Sequence, residues 1–282
     1  MIYEKYEGKS ASVQIENILE SAPYTSVGTK AFLSCKNVYE IKLPDTICEI
    51  GAWAFAHMRD LKRIIVPAKK ISIGKDAFLN CDNLSEIIVY PYETNTDGLS
   101  YLLATCITIL KSYELLDFEM VTKQTRVWCE TYDRELLKYI CSPDDRGFQP
   151  VIVGWFNDEG EEDQLNRYIE KVKANKISLS FLRLKYGTYI CDNTKETLLA
   201  YLRQQIKQLE NGNNSTWEIL RDILATDIQY VKITITNGLL SDELVLKLIA
   251  YLNSSNASTE IVAYLLQSIS EKNKNIDQQF EL

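Results

Sequence analysis

The chain has 282 residues, of which 46% are hydrophobic, and it carries a formal net charge of −8. A chain of this length and apolar content can bury two cores, so we expect a globular protein in two parts. No apolar run reaches the roughly 18 residues that a membrane span needs, and the N-terminus has no basic stretch followed by an apolar one. Together with an odd number of cysteines and no C-x-x-C pair, this predicts a cytoplasmic protein with reduced thiols and no membrane span.

A repeat of 23 residues fills the first part of the chain. It recurs without insertion at Ala31–Phe32, Ala54–Phe55 and Ala77–Phe78, and each copy follows the frame A-F-x-x-(C/M)-x-x-(V/L)-x-x-I-x-(L/V). Apolar residues at fixed positions of a short period are typical of a solenoid, in which each unit buries its apolar face against the next.

Residues 13–91 resemble the BspA-like form of the leucine-rich repeat, whose units read I-G-x-x-A-F-x-x-C-x-x-L-x-x-I-x-L-P. Ile50–Gly51 and Ile73–Gly74 supply the opening pair of this pattern in successive units. An earlier, less regular unit around Ile15 and Ile18 is interpreted as an N-terminal cap. The resemblance implies a short solenoid of parallel strands that serves as a binding scaffold. Many family members are surface proteins, and the resemblance implies no reaction.

Each predicted unit contains one short strand, and the outward side chains of these strands form a candidate binding surface. Side chains alternate along a strand, so the residues on either side of the inward Ile point to the exposed concave face of the sheet. This rule selects as candidate partner-binding residues Asn17, Leu19, Glu40, Lys42, Arg63, Ile65, Glu86 and Ile88. Parallel strands about 4.8 Å apart would stack Glu40, Arg63 and Glu86 as a ladder of alternating charge. Two other interpretations stay open: these side chains only cover the sheet, or the second part of the chain packs on them.

The repeat stops near residue 94, and turn-forming residues 91–98 mark the predicted seam between a domain at 1–94 and a domain at 99–282. The first domain has a net charge of −1 and the rest of the chain a net charge of −7. An acidic second half is poorly suited to nucleic acid, since binding to a phosphate backbone depends on cations that release its counterions. We therefore expect a protein partner and no nucleic acid, while the oligomeric state stays open.

The second domain is predicted to be all α-helix. Asn193, Ser215 and Ser241 are predicted helix N-caps, and the first of them opens a helix over 194–210. A fourth helix is expected to follow residues 254–258. Such short helices are expected to stack in antiparallel pairs.

A fainter repeat runs through these helices. The string L-L-A-Y-L at 198–202 returns in similar form at 248–252 and at 261–265. Its tyrosine can bury the ring while the hydroxyl reaches water. Residues 259–266 also resemble the second helix of an ankyrin repeat, although the companion T-P-L-H motif is missing. The domain is therefore interpreted as an ankyrin-like helical domain, and the alternative is chance recurrence of a good helix sequence.

The cysteines have a structural interpretation. Cys35 and Cys81 share a repeat column with Met58, and Cys48 aligns with Ile71, so we expect all three cysteines in the repeat core. The other four have no activating partner in the sequence and are interpreted as buried thiols. They are Cys106, Cys129, Cys141 and Cys191.

The single histidine argues against most catalytic schemes. His57 aligns with Ser34 and Asn80 in a polar column of the repeat, so we expect an exposed side chain on the convex side. A zinc site or a His-dependent dyad would have to be built around this one residue. The acidic run at 158–163 lacks the ligand spacing of an EF-hand and is interpreted as a solvated loop. We expect no metal and no cofactor.

The sequence therefore favours a non-enzymatic scaffold that binds a protein partner through its repeat surfaces. One alternative is a surface or secreted adhesion protein of the leucine-rich repeat type, which would need an export route. The other is an enzyme with a site in residues 99–190, where Trp128 and Trp155 occur among acids without a recognisable spacing. If the strands do not carry the binding surface, the next candidates are Tyr201, Tyr251 and Tyr264 of the helical domain.

Overall fold

The computed structural model describes residues 1–4, 6, 23–90, 98–110, 116, 125–149, 160–210, 214–255 and 258–280. The chain forms two compact units, one of residues 1–136 with 188–190 and one of residues 137–187 with 191–282. The predicted fold class is confirmed, because a short solenoid of parallel strands is followed by a helical region. The first unit extends past the predicted seam at 91–98, and the division into domains at 94 and 99 stays a prediction.

Two narrow sheets of parallel strands build the solenoid. One sheet contains, in this order, β1 (Ile2–Tyr3), β2 (Ser26–Val27), β4 (Glu49–Ile50) and β6 (Ser72–Ile73). The other contains β3 (Glu40–Lys42), β5 (Arg63–Pro67) and β7 (Glu86–Tyr90). Arg63 pairs with Glu40 on one side and with Glu86 on the other, each 23 residues away. One period of the sequence is therefore one turn of the solenoid.

The repeated phenylalanines form the core of this solenoid. Phe32, Phe55 and Phe78 are at most 2% exposed. Their rings stack nearly parallel, with centroid distances of 5.4 Å from Phe32 to Phe55 and 5.3 Å from Phe55 to Phe78. Tyr3 of β1 continues the stack, 5.1 Å from Phe32. Because large rings of successive units bury each other, the stability of each unit depends on its neighbours.

The glycine of each I-G pair lies where consecutive turns of the solenoid are in close contact. A Cβ atom added to Gly74 would lie 2.4 Å from the Ala52 nitrogen, and one added to Gly51 would lie 2.6 Å from the Thr29 nitrogen. Carbon cannot approach backbone atoms this closely, so the turns would have to separate. These two positions need glycine because of the spacing between turns.

Helix α1 (Leu99–Thr105) follows the last strand and packs on β7. Its Leu102 and Leu103 are buried at the end of the solenoid, where no other strand of the described residues stacks on β7. The helix continues as π-helical turns over Cys106–Leu110. Helix α2 (Thr125–Ile140) then buries Trp128 completely.

The described part of the second unit is helical. Its helices are α3 (Glu161–Lys185), α4 (Asp192–Glu210), α5 (Asn214–Thr226), α6 (Ile228–Thr236), α7 (Asp242–Ser254) and α8 (Thr259–Phe280). Two predicted N-caps are wrong: α4 and α5 each begin one residue before Asn193 and Ser215, which therefore lie inside their first turns. Ser241 does cap α7, since its side chain accepts a hydrogen bond from the Leu244 amide. Helix α6, capped by Asp227, was not predicted.

The last four helices pack in two connected pairs. Helix α5 contacts α6, and α7 contacts α8, while α5 also contacts α7 and α6 also contacts α8. Each helix contributes a fully or almost fully buried residue to the shared core, namely Leu224, Val231, Leu248 and Leu265. This agrees with the predicted stacking of helix pairs. None of the helices in the described residues is long and apolar enough to cross a membrane.

Candidate protein-binding face

The outward side chains of β3, β5 and β7 form the surface that we call the strand face. It consists of Glu40, Lys42, Arg63, Ile65, Glu86 and Ile88. The inward residues between them, Ile41, Ile64 and Ile87, are at most 1% exposed, so the strands alternate as predicted. The face is exposed at β3 and becomes half-buried at β7. Asn17 and Leu19, the other predicted members, lie outside the described residues.

Arg63 bridges two acids across the three strands. Its Nε donates to Glu86 Oε2 at 2.7 Å, and its Nη1 donates to Glu40 Oε2 at 3.1 Å. These two hydrogen bonds, the one to Glu86 first, raise the pKa of Arg63. The predicted ladder of alternating charge is therefore present, and its net charge is −1. Arg63 and Glu40 keep 45% and 47% of their side-chain surface exposed, so they can still contact a partner.

Tyr90 lies at the end of β7, next to the strand face, and was not predicted from the sequence. It pairs with Pro67 and so occupies the column in which the earlier unit has proline. Its hydroxyl donates to Asp45 Oδ1 at 2.5 Å, and Lys42 Nζ lies 5.7 Å from the centre of its ring. These contacts link β7 to the end of β3 and to Asp45 just after it, so the Tyr90 side chain covers part of the strand face. The replacement of the repeat proline by tyrosine at this position is the sequence signal that could have identified it.

Tyr39 flanks the strand face at the start of β3, and the sequence analysis missed it as well. The residue is 56% exposed. Lys62, one repeat later, places its Nζ 5.9 Å from the Tyr39 ring. Exposed tyrosine and arginine are enriched among the residues that dominate protein–protein interfaces. Tyr39 and Arg63 are thus exposed residues of the types that such interfaces favour.

Residues 9–116 match the family model of the BspA type leucine rich repeat region. The match contains six copies of the repeat and includes the whole strand face. It confirms the BspA-type resemblance of the first part of the chain and suggests an interaction or adhesion role of the kind typical for such repeats. No curated protein and no solved structure matches the chain. The ankyrin-like interpretation of the helices after the BspA-type region stays a prediction.

The three tyrosines of the helical strings have different environments. The Tyr251 hydroxyl donates to Asp222 Oδ1 at 2.7 Å, and the Arg221 guanidinium lies 4.5 Å from its ring. The Tyr264 ring lies 5.7 Å from Lys232 Nζ. The Tyr201 hydroxyl is buried and has no hydrogen-bond partner among the described residues. A recurring sequence string therefore does not create a recurring surface here.

A buried lysine lies in the region where the enzyme alternative places its site. Lys176 of α3 is 0% exposed, and its Nζ donates to the Ser142 carbonyl at 2.5 Å and to Asp144 Oδ1 at 2.7 Å. The Tyr139 ring lies 5.5 Å from the same ammonium, and burial raises the pKa of Tyr139. These contacts connect the turn after α2 to α3. Trp155, the other marker of that region, lies outside the described residues.

All seven cysteines are free thiols, but their burial differs from the prediction. Cys81 is buried as expected; burial raises its pKa to about 12, and its Sγ donates to the Phe55 carbonyl at 3.1 Å. Cys48 is exposed, which contradicts its predicted core position. Ile47 fills the core one residue earlier and is 0% exposed, so Cys48 turns outward. Cys141 and Cys191 were also predicted as buried, and both are exposed because they lie beyond the ends of buried helical segments.

His57 is half-buried, whereas the sequence predicted an exposed side chain. It packs between the Trp53 ring, 6.3 Å away, and Asn80, whose Nδ2 lies 3.2 Å from His57 Nδ1. Among the described residues, no group of three or more His, Cys, Asp or Glu could hold a metal ion. Of the acidic run, Asp158 and Glu159 lie outside the described residues, and Glu161–Asp163 form the first turn of α3. There the carboxylates face the positive end of the helix.

Proposed function

We propose that the protein is a non-enzymatic scaffold of the cytoplasm, which binds a protein partner through the strand face of its BspA-type repeats. The Arg63 ladder carries this proposal. Three charged side chains from three adjacent strands are joined by two short hydrogen bonds, beside the exposed Tyr39. Side chains that are already ordered lose little conformational freedom when a partner binds. The ladder therefore presents a fixed pattern of charge to a partner of complementary charge.

The exposed thiols support a cytoplasmic location over the adhesion alternative. Cys48, Cys141 and Cys191 are exposed thiols. Exposed thiols persist in reducing compartments, whereas secreted proteins generally pair their cysteines. Fractionation of the native cell tests this part of the proposal. Recovery of the protein on the cell surface or in the medium would favour the adhesion protein instead.

Charge reversal at the centre of the ladder tests the binding face. Arg63→Glu places a third acid between Glu40 and Glu86 without removing a core residue. Its effect on stability should be modest, since exposed ion pairs contribute about 0 to 1 kcal/mol each. Like-charge contact with a partner can cost several kcal/mol, so we expect the folded variant to lose its partner. The measurement is affinity purification of the tagged chain from its native cell, followed by mass spectrometry.

Arg203→Glu is the matched control. Arg203 is also exposed and paired with an acid, Glu196, at 3.7 Å, but it lies on α4 of the helical unit. Circular dichroism on both variants verifies that they are folded. Loss of the same partner from both variants would point to a non-specific effect of net charge. Retention of every partner by folded Arg63→Glu would move the binding surface away from the strand face.

A further inference from the structure

In the helical unit, one ammonium group is enclosed by two aromatic rings and a carboxylate. Lys185 Nζ donates to Asp227 Oδ2 at 2.5 Å. The same atom lies 5.0 Å from the centre of the Tyr186 ring and 5.9 Å from that of Tyr230. We call Tyr186, Tyr230 and Asp227 the ammonium cage. It is built where α3 ends and α6 begins, far along the chain from the strand face.

Each member of the ammonium cage has a contact that does not involve Lys185, and for Tyr186 this contact is made by the backbone. Asp227 is the N-cap of α6, because its Oδ1 accepts a hydrogen bond from the Gln229 amide at 2.8 Å. The Tyr186 carbonyl accepts a hydrogen bond from the Arg183 guanidinium. The Tyr230 ring packs 5.4 Å from the fully buried Phe181. Asp227, the Tyr230 ring and the backbone of Tyr186 should therefore keep their positions when the lysine leaves the cage.

The ammonium cage is exposed enough for a cation from another molecule to reach it. The Lys185 and Asp227 side chains are 26% and 22% exposed, so the site is partly desolvated yet open at the surface. Partial desolvation strengthens the attraction between a cation and the face of an aromatic ring. Burial alone would lower the pKa of Lys185, but the hydrogen bond to Asp227 and the interactions with the Asp227 carboxylate and Tyr186 together outweigh it, and the pKa is raised. The cage thus favours a positive charge.

We propose that the ammonium cage binds an alkylammonium group from outside the chain, and that Lys185 is its resident occupant, displaced when that group enters. A lysine side chain of a partner protein and a small quaternary amine share this chemistry: each carries a positive charge next to alkyl carbons, which aromatic rings and a carboxylate attract. A resident lysine also explains how the free protein avoids an unpaired, half-buried carboxylate, which would be costly. This site is independent of the strand face and of the function proposed for it.

The test uses the full chain and two probes, tetramethylammonium chloride and N-acetyl-lysine methylamide, with sodium chloride at equal ionic strength as the salt control. Lys185→Met removes the resident ammonium and keeps an apolar stem. Isothermal titration should show saturable binding to the wild-type chain, and binding about fivefold tighter to Lys185→Met, since no occupant then competes for the cage. The probe that binds more tightly identifies the source as a quaternary amine or a lysine side chain.

Lys185→Met/Asp227→Asn is the matched control, because asparagine still caps a helix but carries no charge. We expect it to lose ammonium binding while circular dichroism shows an unchanged helix content. Equal binding after the Asp227→Asn change would overturn the proposal, as would binding to Lys185→Met with none to the wild type. If Lys185→Met does not fold, chemical shifts of the Tyr186 and Tyr230 rings of the wild type are followed during titration. Absence of any shift beyond the salt control would then overturn it.

Discussion

The ring of Phe55 lies 5.4 Å from the ring of Phe32 and is tilted by only 12° against it. Phe78 stacks on the opposite side of Phe55 at 5.3 Å. One side chain therefore supports two neighbouring units, and its loss affects both. This position is the most sensitive test of the repeat core.

Phe55→Ala should destabilise the protein by about 3 to 5 kcal/mol, because it removes a fully buried ring and leaves a cavity between two others. Chemical denaturation of the wild type and the variant measures the difference. Leu33→Ala, at a neighbouring position that is 38% exposed, is the control and should have a much smaller effect. A Phe55→Ala variant that unfolds at the same denaturant concentration as the wild type would contradict the stacked core.

Gly51→Ala should destabilise the solenoid by about 1 to 3 kcal/mol, since its new methyl group forces two turns apart. The added Cβ would lie 2.6 Å from the Thr29 nitrogen. Gly160→Ala is the matched control, because a Cβ there has open space and the residue has an ordinary φ of −63°. Thermal melting of both variants gives the comparison. Equal melting temperatures would show that the turns are not in contact at Gly51.

The free thiols should divide into a fast and a slow group on alkylation of the native protein. We expect Cys48, Cys141 and Cys191 to react first, since all three are exposed. Cys81 should stay protected at neutral pH, because burial raises its pKa to about 12 and the thiolate is the reactive form. Mass spectrometry of peptides from timed samples identifies the modified residues. After denaturation without reductant all seven should be alkylated, and any disulfide found there would contradict the reduced state.

Asp144→Ala should destabilise the helical unit by about 2 to 4 kcal/mol, because it leaves the Lys176 ammonium buried without its carboxylate. The control is Asp145→Ala, which changes an exposed neighbouring acid. The double variant Lys176→Met/Asp144→Ala should recover much of the loss, since an apolar pair in the same space no longer carries an unpaired charge. Urea denaturation measures all three. Additive losses in the double variant would show that the two residues are not coupled.

The repeat half of the fold could be predicted because every unit has the same apolar and polar residues at the same positions. Each column of the 23-residue frame has the same environment in each turn, so Phe55 predicts Phe32 and Phe78, and the register of Glu40, Arg63 and Glu86 follows by counting. Departures from the frame were harder to interpret. Cys48 was placed in the core because Ile71 is there, but Ile47 already fills that space. Tyr90 was overlooked although it breaks the proline column.

The polar groups of the helical unit could not be predicted in this way. Lys176 reaches Asp144 across 32 residues, and Lys185 reaches Asp227 across 42. Neither pair has a spacing that a helix or a repeat would impose, since both depend on how separate helices pack. Local signals did predict the helices themselves: the cap at Ser241 is correct, while the helix starts implied by caps at Asn193 and Ser215 are two residues late.

The uniform register of the solenoid bears on how such a protein can change in evolution. A tandem genetic duplication of residues 54–76 would insert one complete turn and leave both flanking turns with neighbours of the same kind. The new copy would bring its own glycine for the close approach, its own ring for the stack and its own strand. The binding surface would lengthen by about 4.8 Å. The number of repeat units can therefore increase one at a time, and each new unit makes the same kinds of contact as the existing ones.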